Sequence, residues 1–149
     1  MPEFQLDLTD ADGNHNEVFD WYHMQDEFTQ GYIQAMFWTA PEDMGRPGRD
    51  VSAADLSQEA RQDIACDCNV FQRQAAALLY HAEAGETSYD REQAGIDFWL
   101  TRNGHGAGFW CRDLPNMPYV GDIGERLSNC ARWFGECDIY EGDDHLIYC

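Results

Sequence analysis

The fold class is decided by residues 94–112, which read AGIDFWLTRNGHGAGFWCR. Between positions 95 and 101 the residues Ile, Phe and Leu fall at every second place, a period that is typical of a β-strand. The dipeptide Asn103-Gly104 follows, and it readily takes the positive φ angles of a tight turn. A second short run over 107–112 completes the pattern. The stretch therefore predicts a β-hairpin.

Two amphipathic helices are predicted before this hairpin. Over residues 14–40 the apolar side chains recur at steps of three and four residues, which gives one wide apolar face. The second helix starts at Ser52 or Ser57 and runs to Ala84, and it has the most regular period in the chain. Gly85 is its natural stop.

A helix and a second hairpin are predicted after residue 120. Residues 121–135 form the helix, and Cys137–Tyr140 with Leu146–Tyr148 form the hairpin, around an acidic loop whose composition suits a turn. The predicted order is two N-terminal helices, a β-hairpin, a helix and a β-hairpin. We expect an α+β fold in which the hairpins form one small antiparallel sheet packed on helices. Residues 1–149 are predicted to be a single acidic domain.

The charge of the chain disfavours several classes of ligand. Its 149 residues include 28 Asp and Glu against 9 Arg and no Lys, for a net charge of −19. Direct binding to nucleic acid or to an anionic membrane is disfavoured, because phosphate contacts require Lys and Arg. We expect no cofactor. Arg46 and Arg49, in a predicted loop from Thr39 to Asp50, form a small basic island.

The location of the protein is predicted from two missing signals. No apolar run approaches the roughly 20 residues of a membrane-spanning helix. Residues 1–12 lack the basic start and the apolar stretch of a signal peptide. We therefore expect the chain to stay in the cytoplasm.

The same acidity allows the protein to imitate nucleic acid and to occupy a basic groove on another protein. Because duplex DNA carries about one charge per 1.7 Å, the 19 net charges correspond to about 32 Å of duplex, which is comparable to the width of one domain. Adaptation of the surface to high salt would also produce this acidity, and so would simple colloidal solubility.

Six cysteines raise the question of a metal or a disulfide. Cys66 and Cys68 form a C-x-C pair, but zinc sites usually show two pairs at C-x₂₋₄-C spacing. We predict buried free thiols, the default of a cytosolic chain, and no metal site. A Cys137–Cys149 disulfide is expected only under oxidising conditions. The other candidate zinc ligands are His81, Cys111, Cys130 and Cys137.

An acidic stretch at residues 10–17, DADGNHNE, resembles a calcium loop in its alternate oxygen donors. His15 stands where the sixth-position Gly of an EF-hand belongs, and Trp21 replaces the bidentate Glu. We therefore predict the start of a helix, with Asn14 or Asn16 as its cap.

The string at 94–110 resembles sequences of small acidic proteins that tailed bacteriophages and related mobile elements encode. Three further segments share the resemblance: AMFW at 35–38, CNVF at 68–71 and FGECDIYEGDD at 134–144. The similarity spans about residues 30 to 148. It implies a phage context, and with it the cytoplasm of an infected host cell, but no particular chemistry.

The chain departs from that group at two positions. Ile96 stands where the group is expected to have His, and Cys111 stands where Asp is usual. Both departures weaken any catalytic scheme that depends on those positions.

Our preferred interpretation is a phage-encoded interaction protein, a DNA-mimic-like inhibitor that blocks a basic nucleic-acid-binding or defence protein of the host. A restriction, CRISPR or repair component is the expected partner. Carboxylates of the first two helices would pair with its Lys and Arg, and an exposed aromatic side chain would anchor the contact. The candidate partner-binding residues are Asp20, Asp26, Glu27, Asp55, Glu59, Asp63 and Trp38.

The alternative interpretation is a small enzyme or ligand-binding protein that uses the hairpin around His105. A histidine can act as acid or base, and Arg with Asn can hold an anion. The structural interpretation of the same stretch is a turn with an ion pair from Asp97 to Arg102 or Arg112, and we favour it. The candidate working groups are Asp97, Arg102, Asn103 and His105.

A third interpretation is a structural or accessory phage protein with no inhibitory role. An apolar patch that gives a homodimer would favour it.

Overall fold

The computed structural model of the protein describes residues 4–41, 44, 51–85 and 87–149. Within these ranges the chain forms six α-helices and two small antiparallel sheets, so the predicted α+β class is confirmed. The helices are α1 (Glu17–Met24), α2 (Glu27–Trp38), α3 (Gln58–Gln74), α4 (Ala76–Glu83), α5 (Arg91–Arg102) and α6 (Ile123–Trp133). The strands are β1 (Asn116–Met117), β2 (Gly121–Asp122), β3 (Tyr140–Glu141) and β4 (Ile147–Tyr148).

Helix α5 lies at the centre of the fold, and its closest neighbour is α2. Eight of its 12 residues are buried. Gly31 of α2 and Gly95 of α5 bring the two backbones into direct contact. A Cβ atom on Gly95 would overlap the carbonyl oxygen of Phe28, and one on Gly31 would overlap that of Glu92. Only glycine fits at either position, because the neighbouring atoms belong to a helix backbone that cannot move aside.

Aromatic rings fill the space between α5 and the helices around it. The rings of Phe71 and Phe98 stack with centroids 4.2 Å apart, and Phe28 stacks on Phe71 at 5.6 Å. Phe109 stacks on Phe71 as well, at 5.7 Å. These rings are fully buried and come from α2, α3, α5 and a single turn of 3₁₀ helix at 109–111, so one cluster connects four elements.

The hairpin predicted over 94–112 is wrong, because residues 94–102 belong to α5 and no strand lies in this stretch. The buried side chains of α5 include Asp97 and Arg102, whereas Ile96 is only half-buried, so polarity along the sequence does not mark the outer face of this helix. The alternation of apolar residues at 96, 98 and 100 is therefore not the mark of a strand. Asn103-Gly104 ends the helix and makes no hairpin turn, and Gly104 takes a φ of 66° there.

The two long N-terminal helices are each interrupted, so four helices precede α5. The prediction over 14–40 missed a break at Gln25, whose backbone is extended, and at Asp26, which caps α2 by accepting from the backbone N–H of Thr29. The second predicted helix begins at its predicted cap Ser57 but is interrupted at Ala75. After this break α4 packs against α6, whereas α3 lies against α2 and β4.

The predicted elements after residue 120 are confirmed with shorter bounds. Helix α6 begins one residue after its cap Asp122, and the second hairpin is the pair β3–β4. The joint sheet is wrong: β3–β4 stands alone, and the other hairpin, β1–β2, was not predicted. Arg46 and Arg49, with most of the predicted loop from Thr39 to Asp50, lie outside the described residues.

None of the helices in the described ranges is both long and apolar enough to cross a lipid bilayer.

We expect Gly95→Ala to lower the free energy of unfolding by about 3 kcal/mol or more, because the new methyl group must push α5 away from α2. The matched control is Gly104→Ala, where no atom lies within 4 Å of the new Cβ and only the positive φ is unfavourable. That substitution should cost about 1 kcal/mol. Urea unfolding of both variants measures the difference, and equal losses would show that the α2–α5 contact tolerates a side chain.

The C-terminal hairpin is closed by a disulfide bond. Cys137 and Cys149 are bonded, with their Cα atoms 5.8 Å apart, so the pair that the sequence allowed under oxidising conditions is formed. The four remaining cysteines are free thiols.

Loss of this disulfide should destabilise the protein by about 3 kcal/mol, because the bond restricts a short loop in the unfolded chain. The test is the double variant Cys137→Ser/Cys149→Ser, compared with Cys66→Ser, which removes an exposed free thiol. Cys66→Ser should leave the urea midpoint unchanged. If the double variant is as stable as the parent protein, the bond contributes nothing to stability.

Candidate functional site

Asp97, one of the candidate working groups, is fully buried on the inner side of α5. Its two carboxylate oxygens accept from Nε and Nη2 of Arg112 at 2.8–3.1 Å, from the hydroxyl of Tyr89 at 2.8 Å and from Nε2 of Gln93 at 3.2 Å. The hydrogen bonds with Asp97 raise the pKa of Arg112. Burial raises the pKa of Tyr89, and the neighbouring Asp97 charge raises it further. Both carboxylate oxygens of Asp97 are therefore occupied by internal hydrogen bonds, and neither is exposed to solvent. The role of Asp97 is structural.

Arg102 belongs to a separate network on another side of α5. Its guanidinium donates to Asp67 at 2.9 Å, to the hydroxyl of Tyr32 at 3.1 Å, and to the backbone carbonyls of Gly135 and Phe134 at 2.8 and 3.3 Å. Burial acts to lower the pKa of Arg102, but Tyr32 and Asp67 outweigh it, so the pKa lies above its ordinary value. The ion pair that the sequence placed between Asp97 and Arg102 or Arg112 is therefore the one with Arg112.

Asn103 and His105 lie together at the end of α5. The side chain of Asn103 donates to the carbonyl of Trp99 at 3.0 Å and accepts from the backbone N–H of Cys137 at 2.7 Å. The exposed imidazole of His105 is nearly parallel to the indole of Trp99, with 6.4 Å between ring centroids. Both residues line a cavity of about 250 Å³ that also includes Asp138. Of the four candidate groups, only these two share a site.

The cavity beside His105 has limited chemistry of its own. Thr39, at its edge, accepts from the indole N–H of Trp99 at 2.8 Å and donates to the carbonyl of Ala35 at 2.9 Å. Its cysteine, Cys137, is held in the disulfide. Its ionisable groups are His105 and Asp138, so the site can bind a small polar group or move a proton.

The cysteines do not converge on a metal site within the described residues. No group of three or more His, Cys, Asp and Glu side chains there is placed to hold an ion. Cys68 is buried on α3, and burial raises its pKa well above the usual range. The prediction of buried thiols is wrong for Cys66 and Cys111, which are exposed, and Cys130 is half-buried.

The acidic stretch at 10–17 is the start of a helix, as predicted. Asn16 caps α1 by accepting from the backbone N–H of Val18 at 3.0 Å. A carboxylate oxygen of Asp10 accepts from the N–H groups of Asp12 and Asn14, which closes the turn before the helix.

The candidate partner-binding carboxylates divide into two groups on the surface. Glu59 and Asp63 are exposed, and they lie one turn apart on α3. Asp20 on α1 and Glu27 at the start of α2 are also exposed, and α1 lies on the side of α3 that Arg61 faces, since Arg61 pairs with Glu17 of α1 at 3.2 Å. Residues two apart on a helix point in different directions, so Arg61 and Asp63 face different neighbours.

The other candidate partner-binding residues have more varied surroundings. Asp26 accepts from Nε2 of Gln72 at 3.0 Å in addition to capping α2. Partial burial acts to raise its pKa, but the hydrogen bonds from Thr29 and Gln72 and the nearby Arg91 hold the pKa below its ordinary value. Asp55 is half-buried, and the side chain of Trp38 is 54% exposed.

Comparison with known proteins adds no family, since the chain matches no protein-family model, no curated protein and no solved structure.

Sequence reasoning missed Tyr32 and Tyr89 as partners of the two buried charges. Neither residue has a local signal, because Tyr89 meets Asp97 across a helix start and Tyr32 meets Arg102 from another helix. A prediction of α5 as a helix would have shown that Asp97 and Arg102, five residues apart, face different directions.

Asp97→Asn and His105→Ala should separate structural from functional roles. The first substitution leaves the half-buried Arg112 without its carboxylate, and we expect a loss of about 3 kcal/mol in the free energy of unfolding. The second removes an exposed ring and should change stability by less than about 0.5 kcal/mol. Thermal and urea unfolding measure both. A stable Asp97→Asn variant would contradict the structural role of this ion pair.

Proposed function

We propose that the protein is an acidic inhibitor that occupies the basic, nucleic-acid-binding surface of a host protein. The observation that carries this proposal is the exposure of carboxylates without internal partners. Asp20, Glu27, Glu59 and Asp63 are exposed and form no salt bridge with any described residue. They are available to the Lys and Arg side chains of a partner.

Several arginines are held in ion pairs within the fold and do not neutralise these carboxylates. In the described part of the chain, four arginines pair with carboxylates, and two of these pairs involve a buried residue. The remaining surface field is negative, which repels phosphate and attracts a groove lined with Lys and Arg. The paired arginines are Arg61, Arg91, Arg102 and Arg112.

Two further features support a protein partner encoded by a host. The exposed indole of Trp38 is the type of side chain that concentrates binding energy at protein interfaces. The resemblance of residues 94–110 to phage-encoded acidic proteins favours a host defence or repair protein as the target. Asp26 contributes to such a contact through its charge, because its oxygens already cap α2.

A second candidate function is the binding of a small polar ligand at the cavity beside His105. The observation in its favour is the exposed imidazole, which lines this cavity together with Asp138. For this function His105→Ala abolishes ligand binding, whereas the inhibitor proposal expects no effect from it.

The test of the inhibitor proposal is capture from host lysate at low and moderate ionic strength, with and without excess duplex DNA. We expect capture of a DNA-binding protein that both DNA and salt displace. The double variant Asp20→Lys/Asp63→Lys should weaken this binding at least about tenfold, because it places like charges against the partner.

The matched control for this test is Asp113→Lys/Glu125→Lys, which changes the net charge equally at sites outside the two groups. It should bind nearly as well as the parent protein. If both double variants lose binding equally, net charge and not the proposed surface is responsible. If neither loses binding, the proposal is wrong.

A further inference from the structure

The hairpin β3–β4 has one face toward the core and one toward solvent. Ile147 is 1% exposed and faces inward, where its carbonyl accepts from the backbone N–H of Ser57 at 2.9 Å. Tyr140 and Tyr148 are paired directly across the two strands, on the other face. Successive side chains of a strand point to opposite faces, so both tyrosines point outward.

The two tyrosines form a stacked aromatic surface. Their ring centroids are 5.5 Å apart and the rings are 17° from parallel. Tyr140 is 55% exposed, so its ring is only partly covered by the rest of the protein. A large aromatic side chain at this exposure is available to a ligand.

Carboxylates border this aromatic surface. The hydroxyl of Tyr148 donates to Asp144 at 2.6 Å, and this bond raises the pKa of Tyr148. Glu59 of α3 lies close enough to act on the same hydroxyl through its charge. The surface therefore combines an open π face with negative charge supplied by two separate elements.

We propose that the tyrosine face of β3–β4 binds an arginine side chain of a basic partner protein. This proposal rests on the proposed function and names one contact of the inhibitor with its target. A guanidinium group suits the site because it is planar, stacks on aromatic rings and donates to carboxylates at the same time. Charge complementarity favours it over nucleic acid, whose phosphates the carboxylates repel. Lysine carries the same charge but is a compact, strongly hydrated point charge, so it gains less from the rings.

The experiment compares two labelled synthetic peptides by fluorescence anisotropy at low ionic strength, with the disulfide intact. In one peptide arginine alternates with glycine, and in the other lysine replaces every arginine. We expect the arginine peptide to bind about two- to fivefold more tightly, the range for one exposed stacking contact.

Variants of Tyr140 locate the contact. Tyr140→Ala should abolish the preference for arginine, and Tyr140→Phe should keep it, because the ring remains. The matched control is Tyr80→Ala, which removes an exposed tyrosine of α4 that is 67% accessible and should leave the preference unchanged. Both positions are exposed, so the alanine variants should fold.

Three results would overturn this proposal. The first is equal binding of the two peptides by the parent protein. The second is an arginine preference that Tyr140→Ala retains or that Tyr80→Ala also removes. The third is no binding of either peptide. None of these results bears on the inhibitor proposal, which is tested separately by the Asp20→Lys/Asp63→Lys variant, because that variant does not alter the tyrosine face.

Discussion

The backbone contact between α2 and α5 is the constraint on which the rest of the structure depends. Gly31 and Gly95 allow the two helices to touch, and this closeness places Phe98 within the aromatic cluster and Arg102 beside Tyr32. Because α5 is covered by α2 on one side and by α4 and α6 around it, the polar residues that it carries must be paired inside the protein. The two buried ion pairs follow from that placement.

An element of this fold could be predicted from the sequence only where neighbouring residues carry the pattern that indicates it. Several elements were predictable, because the signal for a cap, an amphipathic helix or a turn lies within a few consecutive residues. These are the caps Asn16 and Ser57, helix α6 and hairpin β3–β4. Helix α5 was not predictable, since Asp97 and Arg102 lie on its buried side and the apolar Ile96 is only half-buried. The breaks at Gln25 and Ala75 were missed because the apolar steps continue through both.

The prediction of a site around His105 followed from assigning residues 94–112 to a hairpin. A hairpin over 94–112 would bring Asp97, Arg102, Asn103 and His105 to one tight turn, whereas a helix separates the first two. Asp97 and Arg102 then become internal partners of Arg112 and Asp67. Whether a cluster of titratable residues is structural or functional thus depends first on the secondary structure that carries it. Of the four candidate groups, only Asn103 and His105, at the end of α5, line a cavity.

The distribution of exposed carboxylates restricts the shape of any basic partner. Arg61 points toward α1, and Asp63 is rotated from it by about 200° around α3, because an α-helix has 3.6 residues per turn. Asp63 and the α1 side of α3 therefore do not share one face of the helix. Strand β4 also contacts α3, so the hairpin that carries the two tyrosines adjoins the same helix. A partner of the proposed inhibitor that used carboxylates on both sides of α3 would have to be concave, as the grooves that hold nucleic acid are.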